Sequence, residues 1–129
     1  MARRALILDT GAVLALLRND RSVRALYTVA QSEGVDIVVP TVVVAQVVRG
    51  GAADALANRL LKTVFVPFVG ERLAREAGRL LGASGLSDVV DALVVAEARR
   101  RAPAAILTGD AGDLSRLADG LPGIRIIAI

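Results

Sequence analysis

The chain contains no cysteine, no histidine, no tryptophan and a single lysine, Lys62, in 129 residues. The first two absences exclude disulfides, thiol or imidazole catalysis and zinc sites of the cysteine–histidine type. Any general base must then be a carboxylate or a water activated by a metal ion. Aromatic residues make up only 2%, which leaves no platform on which single-stranded bases could stack. Long apolar runs are missing too. Hydrophobic residues reach 54% and mean hydropathy is +0.57, yet Asp, Arg, Gly or Pro breaks every run well short of the roughly 20 residues a membrane span needs. The run after Met1-Ala2-Arg3-Arg4 is too short for a signal peptide's apolar core and stops at Asp9. A cytoplasmic location is therefore expected.

What is present fits one domain, residues 1–129, with enough apolar material for a true core. Net charge is +3, and fifteen of the sixteen basic residues are arginine. Arginine pairs with phosphate bidentately, so the balance favours phosphate-bearing partners. An Ala-, Val- and Arg-rich composition equally follows from a GC-rich genome. Short continuous apolar runs alternate with helical stretches. Strands are expected at 5–8, 36–39, 64–66, 104–107 and 124–127. Helices are expected at 11–18, 20–32, from a Thr41 cap to 48, and at 53–62, 71–82, 88–101 and 111–118. Buried strands separated by helices specify an α/β fold, a three-layer α/β/α sandwich around a five-stranded parallel sheet. In such sheets ligands bind beyond the carboxyl ends of the strands.

Five aspartates stand at such ends or at helix starts. Asp9 follows Ala5-Leu6-Ile7-Leu8. Asp88 and Asp91 open an apolar helix, three residues apart and so able to share one face. Asp110 and Asp113 follow Ala105-Ile106-Leu107. Each has a plainer reading: Asp9 or Thr10 as a helix cap, Asp88 as a cap, Asp110 and Asp113 as parts of an Asp/Gly turn. Asp91 is the hardest to explain that way. It lies between Val90 and Ala92 in a stretch apolar enough to be buried, where a lone carboxylate is costly. Together the five point to a divalent-metal pocket for phosphodiester chemistry, since carboxylates crowded together repel unless a cation neutralises them. Thr108 can orient a carboxylate or a water by hydrogen bonding. Arg49 ends the helix after the second strand and could meet phosphate or an acid. Arg99-Arg100-Arg101 reads as cations complementing a helix C-terminus.

Four segments carry a resemblance across the whole chain: Leu8-Asp9-Thr10-Gly11-Ala12, the stretch Val39 to Gly50, the helix Asp91 to Ala98, and Ile106-Leu107-Thr108-Gly109-Asp110. In this order they resemble the PIN domain family, and more narrowly its small bacterial toxin ribonucleases of the VapC type. The resemblance implies a metal-dependent endoribonuclease using Mg2+ or Mn2+, an RNA substrate, a cognate antitoxin protein that covers the site, and a homodimer. Carried over residue by residue, Asp9, Asp91 and Asp110 match metal-binding catalytic acids, with Asp113 and Asp88 as further candidates. Gln46 stands where the family pattern has a glutamate, keeping a carbonyl acceptor but losing the charge. Three readings stay open: an active site in which Asp88 or Asp113 compensates, a weakened or inactive module binding RNA or a protein, or a glutamate changed to silence the enzyme.

A phospho-receiver domain also gathers acids at strand ends. It needs an acidic pair after the first strand, an aspartate after the third and a lysine after the fifth. Here Asp9 stands alone, Pro67-Phe68 follows Val66, and no lysine lies beyond Lys62, so fold class alone does not carry that reading.

Overall fold

The architecture was obtained as a computed structural model, which describes residues 3–129. The chain begins with strand β1 (Ala5–Leu8), helix α1 (Thr10–Leu17) and helix α2 (Arg21–Ser32), followed by β2 (Asp36–Val38) and α3 (Thr41–Val47). A 3-10 turn (Ala52–Asp54) leads into α4 (Ala55–Leu61), then α5 (Glu71–Ser84) and α6 (Val89–Arg100). Strand β3 (Ala104–Thr108), helix α7 (Ala111–Leu117) and strand β4 (Ile124–Ala128) complete the order. All strand pairs are parallel, in the order β2-β1-β3-β4. The chain thus leaves β1 on one side and returns to β3 on the other. By the right-handed crossover rule, α1 and α2 lie on one face and α5 to α7 on the opposite one. Leu8 and Leu107, partners in register, end their strands at this reversal, the place where open α/β sheets form their ligand crevice.

The expected α/β layers are present, with one strand fewer than anticipated among the described residues. The segment 64–66 contributes a single bridge, Val38 to Phe65. Phe65 exchanges backbone bonds with Ile37 and Val39, and the Pro67 carbonyl accepts the Thr41 N–H at 3.0 Å, but Pro67 has no N–H to give in return, so the ladder stays at one bridge. Thr41 is the first helical residue of α3, not its cap; Pro40 holds that position with φ −59° and no side-chain bond. Aspartates do cap α1, α2 and α6. Asp9, Asp20 and Asp88 each accept an N–H from the first turn, satisfying donors that a helix start otherwise leaves unpaired.

Strand β1 is buried along its length, and Ile7, Leu8, Ile106 and Leu107 centre the core. Helix α6 packs against α5, α7, β1 and β3, so Ala92 to Ala98 are all buried. Burial extends to the Glu97 side chain, 1% exposed. It is held by Arg101 at 2.8 Å and by Arg100 at 3.1 Å. Arg101 also lies over the Phe65 ring, 4.6 Å from its centre, which couples the end of α6 to the bridged segment. Asp54 is the other buried carboxylate outside the strand ends. It accepts the backbone N–H groups of Arg49 and Gly50, and Gly50 and Gly51 next to it adopt positive φ, which glycine alone does freely.

The two arginines on Glu97 are not equivalent, because Arg101 is 23% exposed and Arg100 50%. Arg101→Ala is expected to lower unfolding free energy by about 2–3 kcal/mol, since it uncovers a buried charge. Arg100→Ala is expected to cost under about 1 kcal/mol, the range of exposed pairs. Denaturant titration of both variants measures this, and equal losses would contradict the ranking.

Candidate metal centre

Asp9 ends β1 and caps α1 in one residue. Its backbone N–H donates to Leu107 across the sheet at 3.2 Å. Its Oδ1 accepts the Ala12 N–H at 2.9 Å, and its Oδ2 accepts the Thr108 hydroxyl. Thr108, fully buried at the end of β3, accepts the Asp110 N–H at 2.8 Å on the same oxygen. One hydroxyl therefore fixes the acid after β1 against the backbone of the acid after β3. The two loops touch elsewhere too: a Cβ on Gly11 would sit 3.2 Å from the Gly109 nitrogen. Glycine at 11 permits that approach, as anything larger would push the strand ends apart.

Asp88 caps α6 by accepting the Asp91 N–H at 3.0 Å. Asp91 follows in the first helical turn, where the helix dipole favours an anion. Asp110 precedes α7 with no side-chain cap bond, and Asp113 lies in that helix's first turn. Carboxylate oxygens of Asp91, Asp110 and Asp113 lie within 4.8 Å of one another. Asp91 Oδ2 is buried and has no hydrogen-bond partner. Burial, and then the charge of Asp88, the adjoining Asp110 carboxyl and the charge of Asp9, push the Asp91 carboxyl up to about 7.

This donor set fits a hard divalent cation. It offers oxygen ligands only, crowds like charges, and leaves one buried oxygen unpartnered; a cation in reach of the three carboxylates answers all three conditions. Asp91, Asp110 and Asp113 form the close triplet. Asp9 stands beside it with both oxygens already taking one donor each, although a carboxylate has lone pairs to spare. Asp88 contributes its charge while one oxygen serves the helix.

The remaining expected residues lie to one side. Gln46 is exposed on α3 and its Oε1 accepts the Thr10 hydroxyl. Helix α3 packs against both α1 and α6, which puts Gln46 on the rim of the acidic crevice and in contact with the residue after Asp9. The Arg49 guanidinium donates to the carbonyls of Ala45 and Val48 at 2.9 and 3.0 Å, finishing its own helix; no bond joins it to a site carboxylate. Sequence reasoning missed the Gly11–Gly109 contact. The Thr-Gly pair in both loops, Thr10-Gly11 and Thr108-Gly109, was its signal.

The raised Asp91 carboxyl carries a stability consequence with a definite sign. Between about pH 4 and 7 the metal-free folded protein holds a proton that the unfolded chain, with its ordinary value of 3.8, has released. Stability therefore falls as pH rises through that window. Thermal melts in chelator should show a lower Tm at pH 8 than at pH 5.5. Asp91→Asn should flatten this difference, and an unchanged slope in that variant would sink the assignment.

A PIN domain model matches residues 6–120 of the chain. No curated protein sequence matches it. Solved structures do match, at low identity. A toxin–antitoxin complex from Klebsiella pneumoniae aligns at TM-score 0.74 and 17% identity, covering 97% of this chain and 100% of that one. VapBC2 from Rickettsia felis, bound to a promoter DNA fragment, aligns at TM-score 0.72 and 13% identity over 97% and 98% of the two chains. DNA-bound VapBC from Salmonella typhimurium aligns at TM-score 0.72 and 17% identity over 99% and 98%. These likenesses establish a shared fold, and the matched family model extends over both strand ends that carry the acidic crevice and over the helix between them: the chain belongs to the PIN domain family.

Proposed function

We propose that this protein is a metal-dependent endoribonuclease and the toxin of a toxin–antitoxin pair. One observation carries the chemistry: three carboxylates, Asp91, Asp110 and Asp113, converge at the reversal point of the sheet, with a buried oxygen of Asp91 left unpartnered. Asp91, Asp110 and Asp113 would hold Mg2+ or Mn2+, with Asp9 and Asp88 completing the negative field. When bound, the cation would supply positive charge against the scissile phosphodiester and lower the pKa of a water. The chain's own part is to fix the acids. Thr108 holds Asp9 and the Asp110 backbone together, and Asp88 shapes the turn bearing Asp91. With no histidine or cysteine in the chain, the proton of the attacking water goes to a carboxylate or to solvent. The toxin reading rests on the family and on neighbours whose structures are toxin–antitoxin complexes. It implies an antitoxin protein seated over the acidic crevice and a homodimeric toxin.

Incubating RNA with purified protein tests the reading directly. Cleavage is expected with Mg2+ or Mn2+, none with chelator, and a fall of about a hundredfold or more in Asp91→Asn and Asp110→Asn. A folded protein that cuts no RNA with either metal would refute it. Coexpression with a cognate antitoxin should yield a complex that purifies as one species and lacks nuclease activity.

Gln46 favours a second reading, in which the fold binds RNA or protein without turnover. Gln46→Glu separates the two. Cleavage appearing only in that variant would establish a weakened site, whereas a parent protein that already cuts excludes it.

A further inference from the structure

The arginines of this chain differ in what holds them. Six pair with acids, as Arg100 and Arg101 do with Glu97. Among the described residues, only Arg49 and Arg116 are anchored by backbone carbonyls while joined to no acid. Arg49 Nη1 donates to the carbonyls of Ala45 and Val48 at 2.9 and 3.0 Å. Arg116 Nη2 donates to the Ser84 carbonyl at 2.9 Å. Both side chains are exposed, and each keeps Nε and its other terminal nitrogen free. A carbonyl steadies a guanidinium without cancelling its charge. A side chain already steadied loses less freedom when it takes an anion.

The two arginines also stand on either side of the acids. Strands β2 and β3 flank β1 in the sheet, so α3 and α7, which follow them, start on opposite sides of Asp9. The Arg49 guanidinium lies on the peptide that joins Ala45 to Gln46, and the Gln46 side chain takes the Thr10 hydroxyl next to Asp9. Arg116 follows Asp113 by three residues on α7, a spacing at which aspartate and arginine commonly pair. It reaches instead to Ser84, in the segment that leads to Asp88. The tether therefore keeps a full positive charge beside the acidic triplet without occupying a carboxylate that the cation needs.

We infer that Arg49 and Arg116 grip the RNA backbone, each taking a phosphate of one strand on its own side of the acidic crevice, so that the linkage between the grips is held at the acids. This rests on the ribonuclease reading and names the residues that seat its substrate.

The experiment is fluorescence anisotropy of a labelled single-stranded RNA oligonucleotide in chelator over a range of salt concentrations. Cleavage kinetics with Mn2+ and Mn2+ calorimetry run alongside. Arg49→Ala and Arg116→Ala should each weaken RNA binding about fivefold at about 0.1 M salt and lower the slope of log affinity against log salt by about 0.7, the counterion share of one single-strand phosphate contact. In cleavage each should raise KM with kcat nearly unchanged. Arg49→Lys and Arg116→Lys should keep the parent's slope and lose only part of the affinity, since an ammonium keeps the charge but not the fork. Arg125 is the control. It is exposed, joined to no acid, and level with Ala105 toward the amino ends of the strands, so Arg125→Ala should leave slope and KM at the parent's values. Parent-like slope and KM in both alanine variants of the grips overturn the inference and leave the ribonuclease reading standing. An equal loss in Arg125→Ala also overturns it, by showing that net charge alone attracts RNA. So does a fall in Mn2+ affinity, because removing a cation beside an acidic pocket cannot weaken metal binding through charge, and the arginine would then be shaping the pocket. A folded parent protein that neither binds nor cuts RNA removes both readings at once.

Discussion

Repulsion among carboxylates at the strand ends is the constraint around which this molecule is arranged. Asp9, Asp88, Asp91, Asp110 and Asp113 come from three separate chain segments, and local hydrogen bonds place at least one acid in each. Asp9 is a cap, Asp88 is a cap for the turn that contains Asp91, and Asp110 hangs by its N–H from the Thr108 hydroxyl. Each device contributes about 1 kcal/mol locally, and the sum of them keeps charges close that would separate if free. The parallel sheet makes this possible. It brings the ends of β1 and β3 side by side, with backbone bonds that do not depend on the acids.

The division of labour within the five acids follows from hydrogen bonding more than from position. Asp9 is the most buried of them and the most fully bonded. Asp110 is exposed, Asp91 and Asp113 are half-buried, and none of the three has a side-chain hydrogen bond of its own, with one Asp91 oxygen buried and orphaned. Family membership alone would not separate the bonded Asp9 from these three.

Much of this was legible in the sequence. Short unbroken apolar runs such as Ala5-Leu6-Ile7-Leu8 read as buried parallel strands because a strand covered on both faces has no polar side to show. The Asp88–Asp91 spacing was readable as one helix turn. Other features depended on atoms that sequence does not place. The segment Val64-Phe65-Val66 has strand composition, yet it makes one bridge, because Pro67 lacks the N–H that the next rung would use. Arg49 has the charge for a phosphate contact, but its reach also suits the carbonyls that end its own helix. That Thr108 gives its hydroxyl proton to Asp9 was likewise beyond the sequence. Propensity and spacing carry no information about a hydroxyl rotor.

Helix α6 is held at one end and loaded at the other. Glu97 is clamped by Arg100 and Arg101 at its C-terminal end, while unpaired acid charge presses on its first turn. Asp91 and Glu97 are six residues apart, about 9 Å along the helix axis, and the buried run between them leaves no slack. One buried helix thus carries both the ion-paired Glu97 and the acid that faces Asp110. The packing that fixes Glu97 is the same packing that fixes the position of Asp91.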